Sequence, residues 1–304
     1  MKSKLYKKNI LIIGKKGFFA RSFKNLLGSH QLTLVSRKQG IKNLNLKKFH
    51  FIINCAANIY DEREMFESNT FFIYRMLKQY IDQNSKAKII HFGTCNEYGP
   101  SKHKPSEITA LNPQSIHAGT KAAGSIILSS FSKYFKIPSI ILRTYNVYGP
   151  FENSSRLISL IFRHLIFKKK LNIYKGYQDY MHIEDLSNII EKIIRSWNKN
   201  FFGEIINLGS GTQYSNIQVL KICERVTRIK STAKIFKYFS KSSHNKKYNY
   251  KFKTCDLRKM KKFKFRINTD LQTGIEKYWL KIKTSEKLKK HILFYKKNFF
   301  KDYK

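Results

Sequence analysis

The chain has 304 residues, which is enough for one large α/β domain or for a domain with a smaller lobe. No apolar run is long enough to span a membrane, and Met1–Lys8 leads directly into a strand-like run, so we expect neither a membrane span nor a signal peptide. The four cysteines have no Cys-x-x-Cys spacing. This pattern predicts no metal site and is typical of a reduced, cytoplasmic protein.

The net charge is the unusual feature of the composition. Lysine and arginine number 60 against 19 aspartates and glutamates, which gives +41. A lysine-rich coding bias is one interpretation, because Lys, Asn, Ile and Phe are abundant together, although such a bias usually raises Glu as well. An anionic partner is the other interpretation: nucleic acid, an anionic membrane surface or a phosphorylated substrate. Localisation is then cytoplasmic, or peripheral at the inner membrane surface.

A glycine turn follows the first apolar run. Ile10–Ile13 predicts a buried strand, and an amphipathic segment extends to Leu27. Between them, Gly14 allows a tight turn, Gly17 lets the backbone approach a pyrophosphate, and Ala20 lets the helix pack on the strand. A strand, a glycine turn and a helix in this order place a helix N-terminus beneath a phosphate. The spacing is Gly-x-x-Gly-x-x-Ala rather than the commoner Gly-x-Gly-x-x-Gly.

The second predicted strand, Gln31–Ser36, ends in Ser36, Arg37 and Lys38. Dinucleotide-binding folds usually place an acid here to bind the adenine ribose hydroxyls. A hydroxyl and two cations suit a 2′-phosphate instead. The cofactor is therefore NADP or NAD, with NADP favoured and Arg37 near the adenosine end.

Strands and helices alternate through the following residues. The predicted strands are Phe51–Asn54, Lys88–Gly93 and Ile137–Leu142, and the predicted helices are Asp61–Gln83 and Pro113–Phe135. Alternation with apolar, β-branched strands predicts an α/β fold with a doubly wound parallel sheet covered on both faces.

The pattern changes beyond Gly149. Helices are predicted over Ser155–Phe167, Ile183–Trp197 and Ser215–Ile229, with strands at Leu171–Tyr174 and Glu204–Leu208. Lys237–Lys253 is a basic, tyrosine-containing loop. The segment 283–304 mixes lysines with aromatic residues, which suits an anionic lipid surface, single-stranded nucleic acid, or packing of a terminal helix on the small lobe.

Six motifs occur in a characteristic order. They are HFGTCNEYGP (His91–Pro100), NPQSIHAGTK (Asn112–Lys121), LRTYNVYGP (Leu142–Pro150), QDYMHIEDL (Gln178–Leu186), INLGSG (Ile206–Gly211) and CDLRK (Cys255–Lys259). Together they resemble the extended short-chain dehydrogenase/reductase family, and within it the NAD(P)-dependent nucleotide-sugar epimerases, dehydratases and 4-ketoreductases. The resemblance covers about residues 9 to 282.

The resemblance implies a fold and a domain division. Residues 1–150 would form a Rossmann-type NAD(P)-binding domain. Residues 151–282 would form mostly a smaller C-terminal substrate lobe, with some segments returning to the main sheet, and 283–304 would be a basic aromatic tail. The substrate implied is a nucleoside-diphosphate sugar. A homodimer through the helices at 62–83 and 114–136 is also implied.

The resemblance also implies catalytic residues. Thr94 falls on the Ser/Thr position and Lys121 on the lysine position of the Tyr-x-x-x-Lys helix, but His117 replaces the tyrosine. The lysine would hold the nicotinamide ribose, and Thr94 would bond the substrate oxygen. Residues i and i+4 share a helix face, so His117 and Lys121 keep that geometry.

Further positions are carried over for binding. The cofactor would lie against Gly14, Gly17, Phe18, Arg37, Ala56 and Lys121, and the substrate against Asn146, Tyr148, Arg156 and Arg258. Gln178 stands where an arginine usually binds the nucleotide phosphates. Arg156, Arg258 or the lysines of the 237–253 loop are alternatives for that role.

The role of His117 has three interpretations. A neutral imidazole can exchange a proton with a sugar hydroxyl, so His117 is a candidate acid/base. Another phenol, such as Tyr98 or Tyr145, is a second candidate. Alternatively, the site has lost redox chemistry and kept binding, because the charge of Lys121 disfavours the imidazolium that would protonate a ketone.

The residues after Thr94 reduce the number of reaction types that the resemblance allows. Cys95 and Asn96 stand where the dehydratases of this family commonly carry an Asp-Glu pair, so 4,6-dehydration is disfavoured and epimerisation or 4-ketoreduction by hydride transfer remains. Such products often feed surface-polysaccharide synthesis. The alternative function is a catalytically inactive Rossmann-fold binding protein, either an NADP sensor or an RNA binder.

Overall fold

The computed structural model describes residues 7–38, 40–101, 103–236 and 253–294. The strands are β1 (Asn9–Ile13), β2 (Gln31–Val35), β3 (Phe51–Asn54), β4 (Lys88–Thr94), β5 (Ser139–Thr144), β6 (Asn146–Tyr148), β7 (Asn172–Tyr174), β8 (Tyr177–His182), β9 (Glu204–Leu208), β10 (Gln213–Ser215) and β11 (Lys234–Phe236). The helices are α1 (Phe18–Leu26), α2 (Glu62–Phe66), α3 (Phe72–Asp82), α4 (Ile116–Phe135), α5 (Leu157–Phe167), α6 (Ile183–Ser196), α7 (Asn216–Thr227), α8 (Arg258–Lys262), α9 (Leu271–Thr284) and α10 (Glu286–Leu293).

Six parallel strands form the main sheet in the order β2-β1-β3-β4-β5-β9. Buried residues of α1 and α6 cover one face, and buried residues of α3 and α4 cover the other. The predicted α/β doubly wound fold is therefore confirmed. Because all six strands run parallel, their carboxyl ends share one edge, where ligands bind in open α/β sheets.

A smaller lobe packs its own apolar core. It contains the three-stranded sheet β10-β8-β6 and the pair β11-β7, with buried residues from α5, α7, α9 and α10. β9 lies in the main sheet although it follows the first lobe strands in sequence. In α10, Leu288 and Ile292 are fully buried in the lobe core. Up to Leu293, the segment 283–304 is therefore packed on the lobe and does not form a free tail. Phe299 and Phe300 lie outside the described residues.

One turn in the helical stretch after β3 is wider than an α-helix. The predicted helix Asp61–Gln83 is observed as α2, a π turn at Glu67–Phe71, and α3. The π turn directs the Asn69 amide to the hydroxyl of Thr120 in α4, to which it donates at 3.0 Å. The hydroxyl of Thr70 donates to the Thr120 carbonyl at 3.0 Å. These contacts fix the N-terminal half of α4, which carries His117 and Lys121.

Helix α4 begins later than predicted. The sequence predicted a start at Pro113, but the first helical residue is Ile116, because the Ser115 hydroxyl caps the helix by accepting from the Ala118 N–H at 3.2 Å. Within the described ranges, no helix is long and apolar enough to cross a membrane.

Candidate active site

The glycine turn after β1 has the predicted geometry. Gly14 has φ +100°, and a Cβ atom there would lie 2.9 Å from the backbone nitrogen of Ala56. Gly17 donates its N–H to the Gly14 carbonyl at 2.7 Å and is the N-cap of α1, with no side-chain cap. The first turn of α1 therefore presents backbone N–H groups at the carboxyl edge of the sheet. This arrangement fits a dinucleotide pyrophosphate at Gly14, Gly17 and Phe18, with Ala56 beside it.

The end of β2 supplies a cation that is already paired. The Arg37 guanidinium is ion-paired with the carboxylate of Glu64 on α2, and Lys38 Nζ lies 3.4 Å from the other oxygen of that carboxylate. The sequence did not indicate this partner, which is 27 residues away. The prediction that Arg37 binds a 2′-phosphate stays a prediction. Its charge is partly neutralised by Glu64, whose carboxylate is of the type that binds ribose hydroxyls.

Thr94 ends β4 in a capping box. Its backbone N–H donates to the Glu97 carboxylate at 2.8 Å, and its hydroxyl accepts from the Asn96 N–H at 3.4 Å. Burial raises the pKa of the neighbouring Cys95 thiol to about 11. Cys95 is thus a thiol at neutral pH, and the next residue, Asn96, carries an amide that does not titrate.

Glu97 belongs to a buried polar network beneath Thr94. Its carboxylate accepts from Arg143 Nε at 2.8 Å and from the Ser125 hydroxyl at 3.2 Å. Arg143 Nη1 donates to the Tyr98 hydroxyl at 3.0 Å, and that hydroxyl donates to Asn207 Oδ1 at 2.7 Å. The network ties β4 to β5 and β9 at the carboxyl edge of the sheet.

The network argues against Tyr98 as a substitute acid. Burial raises the pKa of Tyr98 to about 12, and the phenolic proton is committed to Asn207. Burial also raises the pKa of Tyr145 well above the ordinary phenol range. Neither phenol has the environment of a group that exchanges protons near neutral pH.

Lys121 and His117 lie together on α4, as predicted. Lys121 is 4% exposed, and its ammonium donates to the Phe92 carbonyl in β4. Burial lowers the Lys121 pKa to about 8, opposed by the charge of Glu97. Burial, followed by the charges of Lys121 and Arg156, lowers the His117 pKa to about 4. The imidazole is therefore neutral at pH 7, in a pocket that disfavours a further positive charge.

A polar cavity of about 240 Å³ lies between β6, β8 and the start of α5, with Asn146, Glu152, Arg156, Gln178 and Tyr180 among its lining residues. Asn146 donates to Gln178 Oε1 at 2.7 Å and accepts from Arg156 Nη1 at 3.3 Å. The charge of Arg156 acts on both His117 and Cys95. Arg156 therefore lies within electrostatic range of His117 and Cys95, and Asn146 is hydrogen-bonded to Arg156.

Two predicted substrate residues have other environments. Tyr148 lines the polar cavity, but it is 2% exposed and belongs to the lobe core, and its hydroxyl donates to the Leu271 carbonyl at 3.4 Å. Arg258 begins α8, is paired with Asp256 at 2.6 Å and has a side chain 88% exposed. It is absent from the lining of the polar cavity. The structure thus places Tyr148 in the lobe core and Arg258 in a surface ion pair, and their substrate contacts stay predictions.

Asp179 and Asp185 hold loops rather than ligands. Asp179 is fully buried and accepts from Ser210 N at 2.8 Å, Gly211 N at 2.9 Å and the Thr254 hydroxyl at 2.6 Å. Asp185 accepts the backbone N–H groups of residues 268 and 269. The hydrogen bonds that Asp179 accepts fix β8 and so position Gln178, which precedes Asp179 in that strand.

Sequence reasoning missed Glu97 and Glu152. Thr94-x-x-Glu97 has capping-box spacing, so a local signal for Glu97 was present. Glu152 is a buried acid in the polar cavity, and burial raises its pKa to about 8. No local pattern indicated its burial. Among the described residues, no group of three or more His, Cys, Asp or Glu side chains could hold a metal ion.

Curated relatives are distant and longer. A dTDP-D-glucose 4,6-dehydratase of Dictyostelium discoideum is 25% identical over 217 residues, covering 65% of this chain and 48% of that protein. An uncharacterized UDP-glucose epimerase of Bacillus subtilis is 26% identical over 151 residues, covering 49% and 48%. The chain thus spans about half the length of these two relatives.

Solved structures share the fold over almost the whole chain. A UDP-glucose 4-epimerase from Thermotoga maritima, solved with UDP-glucose, is 16% identical with TM-score 0.78, covering 91% of this chain and 99% of that one. A UDP-glucuronic acid 4-epimerase from Bacillus cereus, in complex with NAD, is 21% identical with TM-score 0.77 and the same coverage. RMD from Pseudomonas aeruginosa, complexed with NADPH, is 11% identical with TM-score 0.79, again covering 91% and 99%.

The family assignment rests on a comparison of the chain with a sequence model of a whole family. The sequence model of the NAD-dependent epimerase/dehydratase family matches residues 19–209, which is more than half of the chain. The matched region contains Thr94, His117 and Lys121, together with most of the main sheet. On this match and on the sheet and glycine turn described above, the chain belongs to the NAD-dependent epimerase/dehydratase family.

Proposed function

We propose that the protein is an NAD(P)-dependent nucleotide-sugar epimerase or 4-ketoreductase that moves a hydride at a sugar carbon, with C4 the favoured position. The observation that carries this proposal is the buried Lys121, which lies one helical turn after His117 and is bonded to β4 two residues before Thr94. A buried lysine beside a proton-exchanging side chain at the carboxyl edge of the sheet is suited to cofactor and substrate chemistry.

His117 would be a weak base, and the acid form of its ring would be scarce at neutral pH. Its pKa of about 4 keeps the ring neutral, so it can accept the proton of a sugar hydroxyl during oxidation. Protonating a ketone requires the imidazolium, which Lys121 and Arg156 disfavour. Thr94 would donate its hydroxyl to the same substrate oxygen. Because accepting the hydroxyl proton forms the same imidazolium, which burial also disfavours, we expect hydride transfer to be slow in both directions.

The cofactor would supply a hydride acceptor or donor when bound. Gly14, Gly17 and Phe18 would hold its pyrophosphate, Lys121 would orient its ribose, and Ala56 would leave room beside it. NADP is favoured if Arg37 exchanges Glu64 for a 2′-phosphate. NAD is favoured if Glu64 instead accepts from ribose hydroxyls.

The polar cavity would take the nucleoside-diphosphate sugar. Arg156 is exposed and bonded only loosely to Asn146, at 3.3 Å, so it is suited to bind a phosphate in place of the arginine that Gln178 replaces. Asn146 and Gln178 offer amide groups for the sugar or the base. Surface-polysaccharide synthesis is the corresponding cellular role.

A homodimer would form through α3 and α4. These helices, together with α2 and the π turn, carry an exposed aromatic face made of Phe66, Phe71, Tyr74, Ile126, Tyr134 and Phe135. Ring contacts join Phe66 to Phe71 and Phe131 to Phe135. A contiguous apolar face of this kind is typical of an interface.

The first experiment is a fluorescence titration with NADPH and NADH at roughly physiological salt. Saturable binding is expected, and a preference for NADPH would support Arg37 over Glu64 as the adenosine-end determinant. Nucleotide sugars would then be screened for hydride transfer. If neither dinucleotide binds, the enzymatic proposal is wrong.

A catalytically inactive binding protein is the second candidate, either an NADP sensor or an RNA binder. The neutral His117 and the net charge of +41 favour it. RNA affinity that persists at physiological salt would support this candidate, whereas affinity that disappears there would mark the charge as non-specific. The same measurement with anionic vesicles tests a peripheral membrane location.

A further inference from the structure

A second cavity, of about 400 Å³, lies behind α1. It is bounded by α1, the turn after β6, the start of α6, and helices α9 and α10. Its charged lining residues are Arg21, Glu184, Lys277, Lys281 and Lys287, and we call it the basic cleft. It shares no lining residue with the polar cavity, and neither the glycine turn nor His117 or Lys121 contributes to it.

The basic cleft has an excess of positive charge. Its one acid, Glu184, is paired with Lys277 at 2.5 Å. Lys281 and Lys287 have no ion pair within the described residues. The third cation is Arg21, and burial lowers the pKa of its guanidinium. Three cations are therefore left to face the cavity without a lining acid to balance them. An anion placed between α1 and α9 would relieve this repulsion.

His182 adds a buried polar group to the lining. The ring is 1% exposed, and Nδ1 accepts from the Glu184 N–H at 3.4 Å. Its Nε2 is buried and has no hydrogen-bond partner among the described residues. A buried donor without a partner is costly, so negative charge of a ligand close to this wall of the basic cleft would be favourable.

The remaining lining is largely apolar, with Leu26, Pro150, Phe151 and Ile183. A bare inorganic ion would leave this surface uncovered. An apolar wall beside cations suits a molecule that carries a phosphate on an apolar or planar body.

The segment after β6 connects the two cavities. Phe151 has φ +66°, which is strained for a bulky side chain, and its carbonyl accepts from Arg21 Nη2 at 3.3 Å. The next carbonyl, of Glu152, accepts from His291 Nε2 of α10 at 2.7 Å. The Glu152 side chain and Arg156 line the polar cavity. Contacts made in the basic cleft therefore hold the backbone that shapes the polar cavity.

We propose that the basic cleft binds a phosphorylated small molecule of about mononucleotide size, distinct from the cofactor and the sugar nucleotide. The bound phosphate contacts Arg21 and Lys281, and the apolar body covers Phe151. Binding stabilises the strained backbone of Phe151 and so the segment 150–156. The effect on the polar cavity rests on the proposed function, whereas occupancy of the basic cleft does not.

The test is calorimetric titration with AMP and with inorganic pyrophosphate at roughly physiological salt. The double variant Arg21→Ala/Lys281→Ala is compared with Lys24→Ala/Lys283→Ala, which removes one exposed cation from each of the same two helices outside the basic cleft. AMP is expected to bind wild type and the control alike, and the cleft variant about tenfold or more weakly, since two charge-assisted contacts are lost. An equal loss of AMP affinity in both variants would show that AMP binds through non-specific charge attraction, and would overturn the proposal.

Hydrogen exchange locates the bound AMP without any activity. Protection is expected in peptides covering 150–156 and 281–290. Protection confined to the glycine turn, residues 9–17, or AMP affinity that survives in the cleft variant, would place AMP elsewhere and contradict the proposal. A single-stranded RNA that binds with the same variant dependence while AMP does not would also contradict it.

Discussion

His117 is the residue on which the proposed chemistry depends. It falls where the sequence resemblance implies a tyrosine, next to the ammonium of Lys121. Burial, followed by the charge of Lys121, keeps the imidazole uncharged, whereas the same charge would lower the pKa of a phenol. A phenol keeps a transferable proton at neutral pH, whereas this imidazole has none to give to a ketone.

We therefore expect His117→Tyr to raise the rate of hydride transfer. A regained general acid contributes about 10²-fold or more, so single-turnover reduction of a keto sugar nucleotide should increase by roughly that factor. His117→Phe is the matched control, because it has the ring without the hydroxyl and should not gain. A wild-type rate above that of the tyrosine variant would show that histidine has become the functional acid/base.

Glu152 makes stability depend on pH. Burial raises its pKa to about 8, so between the ordinary carboxyl pKa and pH 8 the folded state keeps a proton that the unfolded state has lost. Stability from this group therefore falls as pH rises through that window. Glu152→Gln carries no such proton, so its Tm relative to wild type should increase steadily from pH 5 to pH 8.

Calorimetric scans at several pH values check the Glu152 prediction. Glu62→Gln, an exposed change of the same kind on α2, controls for the loss of one negative charge. A Tm difference between Glu152→Gln and wild type that stays constant over this range would contradict burial as the cause.

At the scale of elements, the glycine turn depends on one backbone conformation. Gly14 has φ +100°, and a Cβ atom added there would lie 2.9 Å from a backbone atom. Gly203 has φ +72°, but a Cβ atom added there would meet no other atom within 4 Å. Gly14→Ala should destabilise the protein by about 1–3 kcal/mol through strain and displacement of Ala56, and weaken dinucleotide binding. Gly203→Ala has the strain alone and should leave binding unchanged.

Urea unfolding and NADPH titration of both glycine variants provide the measurement. If Gly14→Ala bound the dinucleotide as well as Gly203→Ala, the turn between β1 and α1 would not be the pyrophosphate site.

Local patterns predicted the elements that depend on local interactions. The apolar run of β1, the strand Phe51–Asn54 and the strand Glu204–Leu208 were predicted with bounds that match the structure closely, because each is a short apolar run ended by a turn. β8 was missed because its buried positions include the polar residues Asp179 and His182, and the partners of Asp179 come from loops that are distant in sequence. Similarly, the Arg37–Glu64 pair depends on packing across 27 residues.

The whole molecule has an exposed aromatic face that a monomer would leave in water. We expect wild type to be a dimer and Phe71→Glu/Ile126→Glu to be a monomer, because two buried carboxylates would face each other across the interface. Ile108→Glu is the control, since Ile108 is 95% exposed and lies outside the aromatic face.

Sedimentation velocity distinguishes the dimer from the monomer. A wild-type monomer at micromolar concentration, or a monomer produced equally by Ile108→Glu, would show that α3 and α4 do not form the interface.

The π turn at Glu67–Phe71 determines how well this region tolerates the deletion of a residue. It adds one residue to a turn of an otherwise continuous helix, so α2 and α3 are offset by about 100° from the phase of a regular helix. A single-codon deletion there would restore the α-helical repeat and rotate Asn69 away from Thr120. The reading frame would survive, but α4 would lose the contacts that hold His117 and Lys121, and the aromatic face would be divided. Single-residue deletions at 67–71 should therefore be tolerated less than deletions in a loop of the same exposure.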